Sequence, residues 1–244
     1  MTTNKKIVLK ISNLDKFLDK KQILFGVNLE IYDDEVFGFL GPNGAGKTTT
    51  MKCILNLINQ EVGEIKVLDG YVKDKEIRKQ IGFMPENTYL YRHLTGKEFL
   101  RFNGKFFDIP NLEEKVNYLM EKVGLSKAGD KLLSKYSKGM LQRVGLAQAI
   151  INDPKIVFLD EPMSGLDPLG RKMVKDLVLE LKKNGTTVFF NTHILSDVQD
   201  ICDRFAIIHQ GKIIAQEKTS SIKGSLEDYF IEKIEKENER EKGN

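Results

Sequence analysis

The chain has 244 residues, with 38 basic and 35 acidic side chains and a net charge of +3. This is too little charge to argue for a nucleic-acid surface, and 41% hydrophobic with 30% charged residues is a globular balance that excludes a disordered chain. There is no signal-peptide core and no apolar run near the roughly 18 residues that cross a bilayer, while Cys53 and Cys202 lack metal spacing and read as buried thiols.

IVLKISNL (residues 7–14) alternates and predicts a strand, and ILFGVNLEIY (23–32) predicts another across the polar turn LDKKQ. VFGFL (36–40) is continuously apolar, as a strand buried on both faces would be. KTTTMKCILNLI (47–58) spaces Met51, Ile54, Leu55 and Ile58 along one helical face. EFLRFNGKFF, LEEKVNYLMEKVGL and KGMLQRVGLAQAII also carry helical periodicity, so residues 87–153 are expected to form an inserted helical subdomain. IVFLD (156–160) and TTVFFNT (186–192) predict two more buried strands, and FAIIHQGKIIAQ a hairpin through Gln210 and Gly211. The tail is a mixed-charge helix, expected to be solvated and frayed at its end. Strands alternating with helices predict a single α/β domain over 1–244. Its core, 1–86 and 154–220, has a mostly parallel sheet with antiparallel strands at the N-terminus, and the helical tail covers 221–244.

GPNGAGKTT (residues 41–49) follows a buried strand and opens a helix. It fits G-x-x-x-x-G-K-[ST] in the context that a phosphate-binding P-loop demands. The chemistry accounts for the composition. Successive backbone N–H groups of Gly41, Pro42, Asn43, Gly44, Ala45 and Gly46 (proline excepted) and a helix N-terminus offer donors to phosphate oxygens. Gly44 and Gly46 keep a Cβ out of the way, Lys47 can reach the β- and γ-phosphates, and Thr48 and Thr49 supply hydroxyls, that of Thr48 for Mg²⁺. Strand 156–160 ends in Asp160 and Glu161. Ligands of a parallel sheet sit beyond its carboxyl edge, so Asp160 is expected beside the P-loop, holding Mg²⁺ through water. Glu161 is placed to take a proton from an attacking water. A surface acidic pair is the bland alternative.

The ordered set GPNGAGKTT, YSKGMLQR, IVFLDEP, SGLDP and NTH resembles the ATP-binding subunits of ATP-binding-cassette (ABC) transporters, over about residues 7–229. The resemblance implies a P-loop NTPase core, ATP and Mg²⁺ as cofactors, and ATP hydrolysis coupled to transport. It assigns Ser137 and Gly139 to the signature that meets the γ-phosphate held by a second copy, although Ser137 could also simply cap its helix. It assigns Asp167 to the loop bridging two subunits, against a plain Asp-Pro turn. His193 becomes the switch histidine near the γ-phosphate. It further implies integral membrane permease subunits and a second nucleotide-binding subunit, commonly an identical chain, as partners, with no nucleic acid. The place of work would be the cytoplasmic face of the membrane.

Three departures refine the resemblance. Glu86, with Mg²⁺-binding capacity but no donor when ionised, stands where the family usually has glutamine. The signature reads Ser137-Lys138-Gly139-Met140 in place of Ser-Gly-Gly-Gln. Together these resemble the branch that exports drugs, antibiotics and similar compounds. Aligned without gaps, Leu18 stands where the family stacks an aromatic on adenine, and its neighbour Phe17 serves there only if the turn shifts by one residue, against a plain core phenylalanine. A soluble ABC-type ATPase acting on nucleic acid or ribosomes is the alternative. The long coiled coil of such proteins is absent from the 90 positions between Lys47 and Ser137, and there is one P-loop.

Overall fold

The computed structural model describes residues 5–87 and 91–242. In chain order its strands are β1 (Ile7–Leu18), β2 (Lys21–Tyr32), β3 (Val36–Leu40), β4 (Val62–Val67), β5 (Ile81–Met84), β6 (Ile156–Asp160), β7 (Thr187–Thr192), β8 (Arg204–His209) and β9 (Lys212–Lys218). The helices are α1 (Lys47–Ile54), α2 (Lys75–Arg78), α3 (Gly96–Gly104), α4 (Leu112–Lys122), α5 (Lys138–Ala149), α6 (Pro168–Lys183), α7 (Leu195–Ile201) and α8 (Leu226–Lys242). The chain forms two compact units, one of residues up to 78 and from 189 onward, the other Lys79–Val188.

In the first unit β1 pairs antiparallel with β2 on one side and β4 on the other. The tight connection uses Asp19 and Lys20, both at positive φ, as a two-residue hairpin with right-handed strand twist requires. Leu9, Ile11 and Leu14 of β1 and Val27, Leu29 and Ile31 of β2 are buried, so this sheet keeps one apolar face. β3 is buried at every position, as its unbroken apolar run predicts, and pairs in parallel with β8 from Phe37↔Arg204 to Leu40↔Ile207. β8 and β9 form the expected hairpin through Gln210 and Gly211. Phe37 stacks on Phe189 at 6.0 Å, and Phe39 meets the same ring at 5.5 Å, which fills the core between β3 and the end of β7.

In the second unit β5 and β6 run parallel, from Ile81↔Ile156 to Met84↔Leu159. The stretch 87–153 expected to be helical lies inside this unit, with α3, α4 and α5 as its helices. α3 begins with a capping box, in which Thr95 accepts from the Glu98 N–H and Glu98 accepts from the Thr95 N–H. Phe99 and Leu100 anchor α3, and Val116, Leu119 and Met120 anchor α4.

Several elements differ from the sequence reading. α1 stops at Ile54, not near Ile58, because Asn56 turns left-handed (φ 53) and ends the helix. β1 continues to Leu18. β4, β5 and α7 are additional elements, each too short or too polar to announce itself. The tail helix does not stand free in solvent: Leu226 is buried, Tyr229 meets Phe205 edge to face at 6.1 Å, and Asn238 Oδ1 lies 3.1 Å from His209 Nε2. Both cysteines are buried and neither forms a disulfide, and burial pushes the Cys53 thiol up to about 11. Among the described residues no helix is long and apolar enough to cross a membrane.

Candidate functional site

The P-loop lies in the first unit, between β3 and α1. Pro42, Asn43 and Gly44 are exposed, while Gly41, Ala45 and Gly46 are buried. The loop is fastened from below: Gly211 donates its N–H to the Ala45 carbonyl at 2.9 Å, and Gly211 in turn accepts from Phe25 at 3.0 Å. Gly44 and Gly46 both sit at positive φ, 80° and 111°. A Cβ on Gly46 would come within 2.7 Å of Leu24 Cδ2, so strand β2 closes on the loop as well. Gly46 is also the N-cap of α1, and it provides no side-chain cap. The start of α1 therefore carries no side-chain cap, and its dipole favours an anion there. The Lys47 ammonium is nearly buried and donates to the carbonyls of Gly41 at 2.7 Å and Pro42 at 3.3 Å, which holds it over the loop. Thr48 and Thr49 follow, half-buried on the first turn.

His193 belongs to the same unit. It is exposed, one residue past β7, and the backbone around it is set by Thr192 Oγ1 accepting from the Ile194 N–H at 3.0 Å. Asn191 at the end of β7 lies against Met51 of α1, Nδ2 to Sδ 3.9 Å, so the histidine leaves the strand on the side of the P-loop helix. Phe17 and Leu18 end β1, both exposed. The Phe17 N–H donates to Glu61 Oε2 at 2.9 Å, and the nearly buried Lys16 ammonium donates to Oε1 at 2.7 Å. That hydrogen bond from Lys16 holds the Glu61 carboxyl below the usual carboxylate range.

The second unit holds the remaining site residues. Asp160 is the last residue of β6 and Glu161 the next; both are buried, and Glu161 has the left-handed φ of 50°. The β5/β6 register carries Glu86, exposed, to the same strand ends. The following residues of that loop, 88–90, lie outside the described residues. Ser137 is the N-cap of α5 and accepts from the Met140 N–H at 3.3 Å; Ser137 and Lys138 are exposed and Gly139 half-buried. Asp167 is the N-cap of α6, accepting from the Gly170 N–H at 2.8 Å, with Pro168 at the first helical position. The signature and the Asp167 loop meet within this unit: a Cβ on Gly139 would lie 3.3 Å from Leu166, and one on Gly165 would lie 3.0–3.2 Å from the Lys138 side chain.

Sequence reasoning missed three supports. Gln142 is buried and donates to the Glu161 carbonyl at 3.0 Å. Its signal was a single amide in a helical row otherwise made of Gly145, Leu146 and Ala149. Arg143 donates to the carbonyls of Val123 and Gly124 just beyond α4, fixing the signature helix to its neighbour. Gly211 supports the P-loop from a hairpin far away in sequence.

The donor set fits a nucleoside triphosphate with its metal. A glycine cradle, an uncapped helix start and a fixed ammonium suit polyphosphate oxygens. Among the described residues no group of three or more His, Cys, Asp or Glu side chains could cage a metal alone. Mg²⁺ keeps most of its waters and shares phosphate oxygens, so it asks few ligands of a protein.

A family model described as ABC transporter matches residues 24–164, from strand β2 to just past the acidic pair at the end of β6. An uncharacterized ABC transporter ATP-binding protein of Nostoc sp. is 45% identical over 242 residues, covering 95% of this chain and 72% of that protein. The bacitracin transport ATP-binding protein of Bacillus licheniformis is 36% identical over 212 residues, covering 86% of this chain and 69% of that protein. A solved ATP-binding subunit of an ABC transporter superposes with a TM-score of 0.86 at 28% identity, over 93% of this chain and 99% of that one. That likeness bears out the α/β P-loop core with its mostly parallel sheet. The five motifs and these relatives converge: the chain belongs to the ATP-binding subunits of the ABC transporters, a family that binds and hydrolyses ATP.

Proposed function

We propose that this chain powers the export of a drug, antibiotic or similar compound through separate permease subunits, working as a head-to-tail pair of cassettes at the inner face of the membrane. The observation that carries the nucleotide site is the uncapped start of α1 beneath Lys47 and the glycine loop. In this reading Gly41, Pro42, Asn43, Gly44, Ala45, Gly46, Lys47, Thr48 and Thr49 hold the triphosphate. Ser137 and Gly139 of one copy close over the nucleotide of the other. The exposure of Ser137 and Lys138 at the tip of α5 supports a role toward a partner. Asp167 lines the same junction from its cap position.

The reaction is hydrolysis of the terminal anhydride. A water oxygen bonds to the γ-phosphorus as the bridging bond to the β-phosphate breaks, leaving ADP and phosphate. Glu161 accepts the water's proton. His193 polarises or reports the γ-phosphate. Lys47 neutralises charge on the β- and γ-oxygens. Mg²⁺, held by Thr48, Asp160 and Glu86, would supply further charge stabilisation.

Export of an antibiotic-like compound is supported by the Ser137-Lys138-Gly139-Met140 and Glu86 variants, and by the relative whose name assigns it bacitracin transport. The permease-docking face is assigned to the helical segment and the loop at Glu86. Tyr91, Phe102 and Phe106, exposed and stacked edge to face, support that assignment.

Glu161→Gln tests the reading. It keeps the side-chain shape and removes the base, so turnover is expected to fall by about 10²–10⁴ with ATP binding retained. With ATP and Mg²⁺ the tagged variant should capture a polytopic membrane protein from detergent-solubilised membranes. Near-normal hydrolysis would reject Glu161 as base, and recovery of ribosomes or DNA in place of a membrane protein would reject transport.

A further inference from the structure

Glu161 is a buried non-glycine residue at φ 50°. A backbone there is strained for a residue with a Cβ and persists because its surroundings hold it. The compensation is visible at one atom. The Glu161 carbonyl accepts from Gln142 Nε2 at 3.0 Å and from the Ser164 N–H at 3.1 Å. The first donor comes from α5, the helix that carries Ser137 at its N-cap. The second comes from the loop that ends at the α6 cap, Asp167. Signature helix, acidic strand end and Asp167 loop therefore converge on a single carbonyl oxygen.

Gln142 is 4% exposed, and its amide reaches that oxygen from a helix wedged in place by Arg143 and by Leu166 against Gly139. A carbonyl with two donors fixes the peptide plane after Glu161, and with it the backbone from which the carboxylate starts. An ordinary packing residue at this position would be apolar, like Leu146 and Ala149 on the same row. A buried amide is retained where its hydrogen bond matters, because an unmade one is costly.

We propose that Gln142 is a positioning residue for hydrolysis: through the Glu161 carbonyl it holds the general base in its left-handed conformation and ties that base to the helix bearing the signature. The inference rests on the reading of Glu161 as base. It predicts a loss in the chemical step and not in nucleotide binding, since Gln142 is turned to the Glu161 backbone and away from the exposed tip of α5.

The experiment compares Gln142→Met, Gln142→Glu and Glu161→Gln in the full chain, with steady-state ATP hydrolysis, nucleotide affinity and thermal melts. Gln142→Met keeps volume and removes the donor. Its kcat should fall about tenfold, the factor made by the 1.4 kcal/mol of a neutral hydrogen bond, with KM for ATP within about twofold of wild type. Gln142→Glu is isosteric; its ionised form cannot donate, but its protonated form can. Its kcat relative to wild type should be lowest near pH 8 and rise as the pH is lowered toward 6. Wild-type kcat in Gln142→Met, or a Gln142→Glu ratio flat with pH, would overturn the inference. So would a loss of kcat in Gln142→Met that merely tracks a lowered melting temperature and weakened ATP binding. If Glu161→Gln hydrolyses ATP normally, the base assignment fails instead, and the two failures are thereby told apart.

Discussion

Lys47 shows how one residue can serve two sets of acceptors. Its ammonium already donates to two carbonyls of the loop, at 2.7 and 3.3 Å, and is nearly buried. Turning toward a phosphate exchanges carbonyl acceptors for charged ones, which strengthens each bond it makes. Lys47→Ala removes both the phosphate contact and a tie across the loop. A hydrogen bond to a charged group contributes about 1.5–3 kcal/mol, so nucleotide affinity should drop about ten- to a hundredfold. Titration with a fluorescent ATP analogue measures this, and wild-type affinity in the variant would remove Lys47 from the site. The neighbouring Gly46 admits no such replacement: a Cβ would meet Leu24 at 2.7 Å on a backbone at φ 111°. This part of the site was legible in the sequence because its composition is dictated by backbone geometry. Gln142 was not, because its partner, a carbonyl 19 residues away, exists only once α5 and β6 have packed.

At the scale of elements, the end of strand β1 is where the resemblance would place recognition of the nucleotide base. Phe17 and Leu18 are adjacent in a strand, so their side chains leave on opposite faces and only one of them can meet a base. Glu61 holds this end through the Phe17 N–H and the Lys16 ammonium. Its carboxyl lies below the usual range, so the tie is fully present above the ordinary glutamate pKa. The tie is lost only as pH falls through the lower folded value; between pH 6 and 8 it contributes no pH dependence. A leucine at the base would lack the stacking that an aromatic ring supplies, about 1–3 kcal/mol per base. Wild-type kcat/KM for GTP should then lie within about tenfold of that for ATP. Phe17→Ala or Leu18→Ala, whichever faces the base, should raise KM. A strong ATP preference would count against weak base contact. The alternation of residues 7–14 announced only the first part of β1, because pairing shifts between Ile11 and Leu14 and between Leu14 and Lys16 reset its phase. β4 was hidden for a simpler reason: of its six residues only Ile65 and Val67 are buried. The docking of α8 depends on Phe205 and His209, which its own mixed charges cannot disclose.

For the whole molecule, the question is which surface passes the effect of hydrolysis to a membrane partner. The chain has no helix, among those described, able to enter a bilayer by itself, and its net charge is only +3. An exposed apolar patch is the place to look for such a contact. Tyr91, Phe102 and Phe106 form a ladder with ring centroids 5.5 and 5.4 Å apart, and Phe106 is 67% exposed. The helix beneath is fixed independently, by its Thr95/Glu98 capping box and by buried Phe99 and Leu100. Removing the outer rings should thus leave the fold and the nucleotide site alone. Phe102→Ala with Phe106→Ala is expected to shift stability little, because exposed side chains far from structural features rarely matter by more than about 0.5 kcal/mol. ATP hydrolysis by the isolated chain should persist. Buried aromatic anchors at an interface contribute about 2 kcal/mol or more each, so losing both should weaken capture of the membrane subunits by several hundredfold, about thirtyfold for each ring. Co-purification from solubilised membranes, with the variant pair placed in a Glu161→Gln background, measures that loss. Undiminished capture would move the docking face off α3, while lost capture together with lost hydrolysis would mean that the rings support the fold and not the partner.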